Sequence, residues 1–408
     1  MKAEKTGSGS IGAKTLLPLL LIISLFLTGF SRSVASASSP EPRYARDYEI
    51  LWDALESSYP YLPYLRDSRH IDVDGVRARY LEELASVEDE ASFEDLIRRM
   101  LGELGNFAHL DLVPPSLYQS YYFIFVQQEG LVSAELAAPF IRVLTDPGLS
   151  ERYRRSESGD LPPEETAEAS YPTVAVMYYA DCKALHLHIS SFAQETVERD
   201  RDLVKEALSK YPQTEHIIFD LTGNSGGSDY YWMQNLVEPF GGSYAFSYRN
   251  YFKSSALLDT YYASLESSPS AELEDAPSWV ADLGLDRYFE TEMILPEGEN
   301  AGEEAFPEIK RWVLTSGQVY SASEKFVCFC KATGWATLVG TRTAGDGLGS
   351  TPILILLPES GLLIRFSSMV GENPDGKINA VTGTMPDLLC RKGMLPLTLC
   401  LKTIRNKG

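Results

Sequence analysis

The sequence predicts an α/β protein in which a helical N-terminal region precedes a core of short strands and helices. Three observations carry this. From Tyr44 to about Val113 apolar residues recur at helical spacing: Tyr48, Leu51, Leu55 and Tyr59, then Val76, Tyr80 and Leu84, then Phe93, Leu96, Ile97, Met100, Leu101 and Leu104. After residue 170, short β-branched and apolar runs alternate with amphipathic helical patterns. The apolar run Ile217-Ile218-Phe219 ends at Asp220, a glycine turn follows, and a helical pattern resumes over Tyr231–Val237. A strand, a turn and a helix in that order are the unit of α/β architecture, with the site expected at the strand's C-terminal end.

Taken in order, the chain opens with the features of an export signal over residues 1–37. Lys2, Lys5 and Lys14 supply a positive flank, Leu16 to Phe30 is a nearly unbroken apolar stretch, and Ala35-Ser36-Ala37 is a small-residue cleavage pattern. The stretch is shorter than the ~20 residues a spanning helix needs, so cleavage is expected, with an uncleaved membrane anchor as the alternative. Phe30 stands where a lipidation site after Leu27-Thr28-Gly29 would need cysteine. The expected location is secreted or extracytoplasmic. Residues 38–115 read as a small helical domain whose first two helices are divided by Pro60 and Pro63. Residues 116–170 read as a connecting segment, with a strand or two in the aromatic and β-branched run Tyr118–Val143 and a charged loop from Glu151 to Ser170. Residues 171–408 read as the core. Strands are expected at Thr173–Tyr179, Ala184–Ile189, Trp312–Leu314, Ala336–Val339, Pro352–Leu357 and Leu362–Phe366, and helices at Gln194–Tyr211 and Ala322–Thr333. An acidic, proline-bearing stretch at about 264–310 reads as an insertion or lid.

Composition narrows the function. The chain has 408 residues, 44% of them hydrophobic, and a net charge of −21. Such an acidic surface repels phosphate backbones, and no basic patch offsets it, so nucleic acid is not an expected partner. A membrane is an expected partner only through an uncleaved signal segment. Five cysteines in this length are not a disulfide framework, and their odd number leaves at least one thiol free or paired between chains. None has the spacing of a metal or redox site, and neither a cofactor nor a metal is expected.

Three short motifs carry possible chemistry. Asp220-Leu-Thr-Gly-Asn-Ser-Gly-Gly227 is a turn whose glycines let backbone N–H groups point outward, where they can bind an anion or an oxyanion. It lacks the glycine spacing of a dinucleotide site and the lysine of a P-loop. Ser321-Ala-Ser-Glu324 reads as a capping box before the apolar run Phe326–Phe329, or as a serine nucleophile at the positive end of a helix. His109, in Leu104-Gly-Asn-Phe-Ala-His-Leu110, is a residue type suited to activating such a serine. His186 and His188 alternate on one strand face and read as structural, since no third metal ligand is evident.

In this order the motifs resemble the tail-specific, or C-terminal-processing, serine peptidase family, which includes tricorn-type cores. Asp220 to Gly227 resembles the family's D-L-R-x-N-x-G-G turn with Thr222 in place of arginine, and Ser321-Ala-Ser-Glu324 its S-A-x-E segment. Phe192 in Ile189-Ser-Ser-Phe, Val339-Gly-Thr-Arg-Thr343, Leu357-Pro358 and Gly383-Thr-Met-Pro-Asp387 resemble further landmarks. The resemblance implies a crotonase-like or ClpP-like twisted sheet core behind a helical N-terminal domain, without a PDZ module. It implies Ser321 as nucleophile, and an oxyanion hole from the N–H of Ala322 with that of Gly226 or Gly227.

Two departures bear on the base. Lysine-dependent members keep their base 25 positions after the nucleophile, which here is Asp346, within Thr343-Ala-Gly-Asp-Gly347. Tricorn-type members use a histidine with a supporting serine and glutamate. Here Ala108 adjoins His109, and Ala380 or Val381 lies near the glutamate's place. The reading is a Ser321–His109 dyad with Asp346 as support, in an exported serine endopeptidase acting on proteins or peptides through an acyl-enzyme. Lys325, one helical turn beyond Ser321, is the competing base. The alternative function is a non-catalytic peptide or ligand binder that keeps the fold. A lyase or hydratase on the related crotonase architecture is disfavoured, because the S-A-S-E landmark has no purpose there. The sequence does not specify an oligomeric state.

Overall fold

A computed structural model describes residues 42–128, 130–157, 173–296 and 305–407. The export signal and residues 158–170 of the expected charged loop lie outside the described residues. Pro42–Gly408 forms one compact unit.

The strands are β1 (Asp111–Leu112), β2 (Val174–Tyr179), β3 (Ala184–Ile189), β4 (His216–Asp220), β5 (Tyr244–Phe252), β6 (Ser268–Pro269), β7 (Arg287–Leu295), β8 (Lys310–Thr315), β9 (Thr337–Gly340), β10 (Ile353–Leu356), β11 (Leu363–Phe366), β12 (Val370–Gly371) and β13 (Leu388–Leu389). The central sheet has the order β13-β9-β8-β4-β3-β2. It is parallel from β13 to β3 and closes with the antiparallel edge β2. Its inner strand β4 is buried along its whole length, as expected where helices cover both faces. Helices Val197–Lys210 and Ala322–Thr333 cover one face through Val197, Val204, Phe326 and Phe329. The C-terminal helix Pro396–Lys407 covers the other, setting Cys400, Leu401 and Ile404 against Ala184, Ile218 and Trp312.

Helices Ala45–Ser58, Leu62–Asp67, Val73–Glu83 and Glu90–Glu103 form the N-terminal region. Their apolar faces are continuous with the sheet β1-β11-β10, so that Tyr48, Trp52, Phe93 and Leu101 share one core with Ile353, Ile364 and Phe366. This shared core fixes the loop that follows Glu103, which carries His109, against residues more than 200 positions later in the chain.

Two expectations change. Tyr118–Val143 contains no strand: it holds helix Pro115–Tyr122, a wide helical turn Phe123–Gln127 and helix Ala134–Leu144. Tyr118, Tyr121 and Phe125 bury at helical spacing, and packing outweighs the strand preference of their aromatic type. Helix Pro147–Glu157 likewise takes up the start of the expected charged loop. The acidic stretch at 264–310 contributes β6 and β7, and β7 pairs with β5 along nine residues, Tyr244↔Leu295 to Phe252↔Arg287. With β12 these strands form the antiparallel sheet β12-β5-β7-β6. All five cysteines are free thiols.

Candidate active site

The loop after Glu103 turns through left-handed conformations at Asn106, Ala108 and His109, with φ of 47°, 51° and 57°. Such angles cost a non-glycine residue energy and persist only where surroundings impose them. Here Tyr59 Oη donates to Phe107 O at 2.7 Å, Ser367 N–H donates to Ala108 O at 2.9 Å, and the Phe107 ring packs edge-on against Tyr61. The His109 ring is thereby delivered, buried, to Asp346.

His109 Nδ1 lies 2.6 Å from Asp346 Oδ2, and Ser367 Oγ lies 3.0 Å from each of these atoms. Tyr320 Oη donates to Asp346 Oδ2 at 2.8 Å, sits 3.2 Å from His109 Nδ1 and accepts the His109 backbone N–H at 3.1 Å. An ionised carboxylate only accepts, so the proton of a neutral His109 belongs on Nδ1 and the lone pair on Nε2. Burial, reinforced by Asp346, pushes the Tyr320 phenol far above its usual range, which keeps it a protonated donor.

Asp346 is the position 25 residues after Ser321, where the family resemblance placed a lysine. It too has positive φ, 57°, between Gly345 and Gly347. A side chain on Gly347 would overlap Ser321 O and the Lys325 amide, and one on Gly345 would overlap Asn379 O. Only glycine lets this loop lie so close to the helix start. Asn379, 1% exposed, accepts the Gly347 N–H at 2.7 Å and donates to Glu324 Oε1 at 2.8 Å and Asn373 Oδ1 at 2.9 Å. Ala380 follows directly, so the place considered for a glutamate borders the loop that carries Asp346.

Ser321 does not act as a helix cap. Its φ and ψ are 57° and −126°, and its side chain accepts no capping hydrogen bond. Glu324 does not reach back either: it is fully buried and accepts from Thr384 Oγ1 at 2.7 Å, and burial raises its carboxyl above the usual range. The capping box is therefore absent, and the turn resembles a strained nucleophile elbow. Ser321 N–H donates to Gly345 O at 3.2 Å, which ties the serine to the Asp346 loop. Among the described residues no hydrogen bond joins Ser321 Oγ to His109, whose Nε2 is likewise without a partner.

Asp220 anchors the glycine turn. It accepts from Thr222 N at 3.0 Å, Thr222 Oγ1 at 2.7 Å and His186 Nε2 at 3.1 Å, with His188 Nδ1 at 3.7 Å. Burial opposes its charge, and the His186 and Thr222 hydrogen bonds overcome this and hold the carboxyl below its usual range. Asn224 Oδ1 accepts from Gly226 N at 2.9 Å and from Ser323 Oγ at 2.6 Å, joining the turn to the Ser321 helix. Of the two glycine alternatives, the Gly226 N–H is taken by Asn224. Gly226 matters for space instead, since a Cβ there would lie 2.9 Å from Ser321 Cβ and 3.1 Å from Ala322 N. Gly227 sits beside Phe192 in a parallel bridge. The N–H groups of Gly227 and Ala322 have no acceptor among the described residues.

Lys325 is excluded as a neutral base. It is paired with Asp229 at 2.5 Å. Burial opposes its charge, and the Asp229 carboxylate overcomes this and holds the ammonium above its usual range. Among the described residues no group of three or more His, Cys, Asp or Glu side chains is placed to hold a metal.

Sequence reasoning passed over Tyr320, Ser367, Asn224 and Asn379. Tyr320 and Asn224 stood inside or beside the quoted motifs, whereas nothing local marks Ser367 or Asn379.

Comparison with known proteins gives the family and the fold. The profile of peptidase family S41 matches residues 183–390, half of the chain. Among solved structures, a candidate peptidase from Parabacteroides merdae is similar with a TM-score of 0.53 at 16% identity, over 90% of this chain and 98% of that one. Mature CPAF is similar with a TM-score of 0.51 at 14% identity, over 90% and 94%. The two structures share the fold, a twisted mixed sheet behind a helical N-terminal region. The chain belongs to peptidase family S41, the serine peptidase family whose motif order it resembles.

Proposed function

We propose that the protein is an exported endopeptidase that cleaves protein or peptide substrates through an acyl-enzyme on Ser321. His109 is the general base, Asp346 orients it, and the N–H groups of Gly227 and Ala322 receive the oxyanion. The observation that carries this reading is the 2.6 Å contact from His109 Nδ1 to Asp346 Oδ2, which leaves Nε2 as the ring nitrogen able to take a proton.

The steps follow from these atoms. Ser321 Oγ attacks the scissile carbonyl carbon while its proton passes to Nε2. The negative charge collects on the former carbonyl oxygen, where two N–H groups and the positive end of a twelve-residue helix stabilise it. The intermediate collapses, Nε2 returns the proton to the departing amine, and Ser321 is left as an ester. Water, deprotonated by Nε2, attacks the ester, and the acid product leaves with Ser321 restored. Asp346 orients the ring and stabilises the imidazolium formed in each half-reaction.

The experiment is labelling of the folded protein with a fluorophosphonate, followed by identification of the labelled peptide. Label on Ser321 that disappears in His109→Ala supports the mechanism. Label elsewhere, or none from several probes, overturns it. Export is tested by sequencing the N-terminus of the secreted product, expected to begin after Ala37.

A further inference from the structure

We propose that Tyr320 is a positioning residue that sets the proton affinity of the His109–Asp346 pair and couples that pair to the nucleophile turn. The proposal rests on the catalytic reading of Ser321, His109 and Asp346, but its test does not require turnover.

Tyr320 directly precedes Ser321, so its ring and the strained turn are one covalent piece. Its hydroxyl meets three atoms of the base: it donates to Asp346 Oδ2 at 2.8 Å, accepts the His109 N–H at 3.1 Å, and lies 3.2 Å from Nδ1. The two rings lie 4.6 Å apart. A shift of the serine turn therefore moves a donor of the base, and a shift of His109 pulls on the turn. The left-handed backbone of His109 turns its N–H toward this hydroxyl, which satisfies a buried donor.

The other groups facing the pair come from separate elements. Tyr59 and Tyr61, at the end of the first helix, give their hydroxyls to Phe107 O and Met369 O. Ser367, after β11, reaches both His109 and Asp346 at 3.0 Å. The phenols are neutral, because burial, with Asp346 nearby, raises them well above their usual range. Asp346 is thus the carboxyl group that faces His109 in this set, and Tyr320 is the phenol bonded directly to it.

The sign follows from the donors. A hydrogen bond to a carboxylate stabilises and disperses its charge. With Tyr320→Phe, Asp346 has one donor fewer and interacts more strongly with the imidazole N–H, which favours the imidazolium. The pH at which His109 titrates should rise by about half a unit or more. Incorporating 3,5-difluorotyrosine at position 320 keeps the ring and strengthens the donor, so the titration should move down.

The measurement is an NMR titration of the histidine rings in the full-length protein, with His109 identified by its loss in His109→Ala. Opposite shifts in the two variants support the proposal. No shift in either, or shifts in the same direction, overturns it. Should Tyr320→Phe not fold, the fluorinated protein carries the test through its downward shift. Peptide hydrolysis is followed in parallel, with kcat/KM for Tyr320→Phe expected to fall about tenfold and its acid limb to follow the titration. A wild type that titrates as expected but cleaves nothing refutes the peptidase mechanism alone. A wild type that cleaves, with unmoved titrations in the variants, refutes the role of Tyr320 alone.

Discussion

Two buried histidine–aspartate pairs lie in this molecule, His109–Asp346 and His186–Asp220. Their burial is nearly equal, 6% and 7% exposed in the first, 8% and 8% in the second. Their backbones differ. His186 and Asp220 sit on adjacent parallel strands, β3 and β4, in ordinary extended geometry. His109 and Asp346 both have positive φ, as does Ser321. Among the described residues eight non-glycine residues have positive φ, and five of them are Asn106, Ala108, His109, Ser321 and Asp346. Strain gathers at the first pair, which is held by loops rather than by paired strands. The second pair is held by a sheet that would form without it. Residue type and burial alone therefore do not distinguish the two pairs; their backbones do.

The comparison can be broken most directly at the nucleophile. Ser321→Ala should abolish hydrolysis, a loss of several orders of magnitude, and leave the denaturant midpoint nearly unchanged, because its hydroxyl caps nothing. A drop of about 1 kcal/mol would restore the capping role. Next, His109→Ala should lower kcat/KM by several orders of magnitude, while His186→Ala should change it by less than about tenfold. Comparable losses in the two would erase the distinction between the pairs. Asp346→Asn should cost less than removal of His109, yet still about a thousandfold or more in kcat.

Asp220→Asn should act on stability, by about 1–3 kcal/mol at neutral pH, through loss of charged hydrogen bonds to His186 and Thr222. The Asp220 carboxyl titrates lower in the folded than in the unfolded protein. Its contribution is therefore present above the unfolded value and is lost as pH falls through the folded one. The stability gap between wild type and variant should close below about pH 4 in urea titrations. The smallest effect is expected from Ser323→Ala, which breaks the 2.6 Å bond to Asn224 Oδ1. About 1 kcal/mol of stability and a few-fold in kcat should go, since the glycine turn loses one tie to the helix.

The helix Ala322–Thr333 and the strand Ala184–Ile189 were readable to the residue, because short apolar runs bounded by Gly, Pro or polar clusters carry their own boundaries. β5 and β7 were not, since each mixes charged and aromatic residues and half faces outward. Ser321, His109 and Asp346 stood in motifs whose order pointed to them, and the structure brings two of them, His109 and Asp346, into contact. Which of the Gly226 and Gly227 N–H groups finds an acceptor was not legible, because it turns on where the Asn224 side chain points. Tyr320, Ser367 and Asn379 act through atoms that meet only after the loops fold. Their residue types have many ordinary uses, and no spacing separates this one.

The way His109 is anchored has a consequence for the timing of activity. Its loop is gripped by Tyr59 and Ser367 and delivered to Asp346, partners spread over the whole length of the chain. Contacts between such distant segments form late in folding. No disulfide holds them. If His109 is the base, as proposed, a newly made chain has its serine before it has the means to activate it. Under the proposed mechanism proteolytic power would arrive with the finished tertiary structure, when the protein's own backbone is already out of reach.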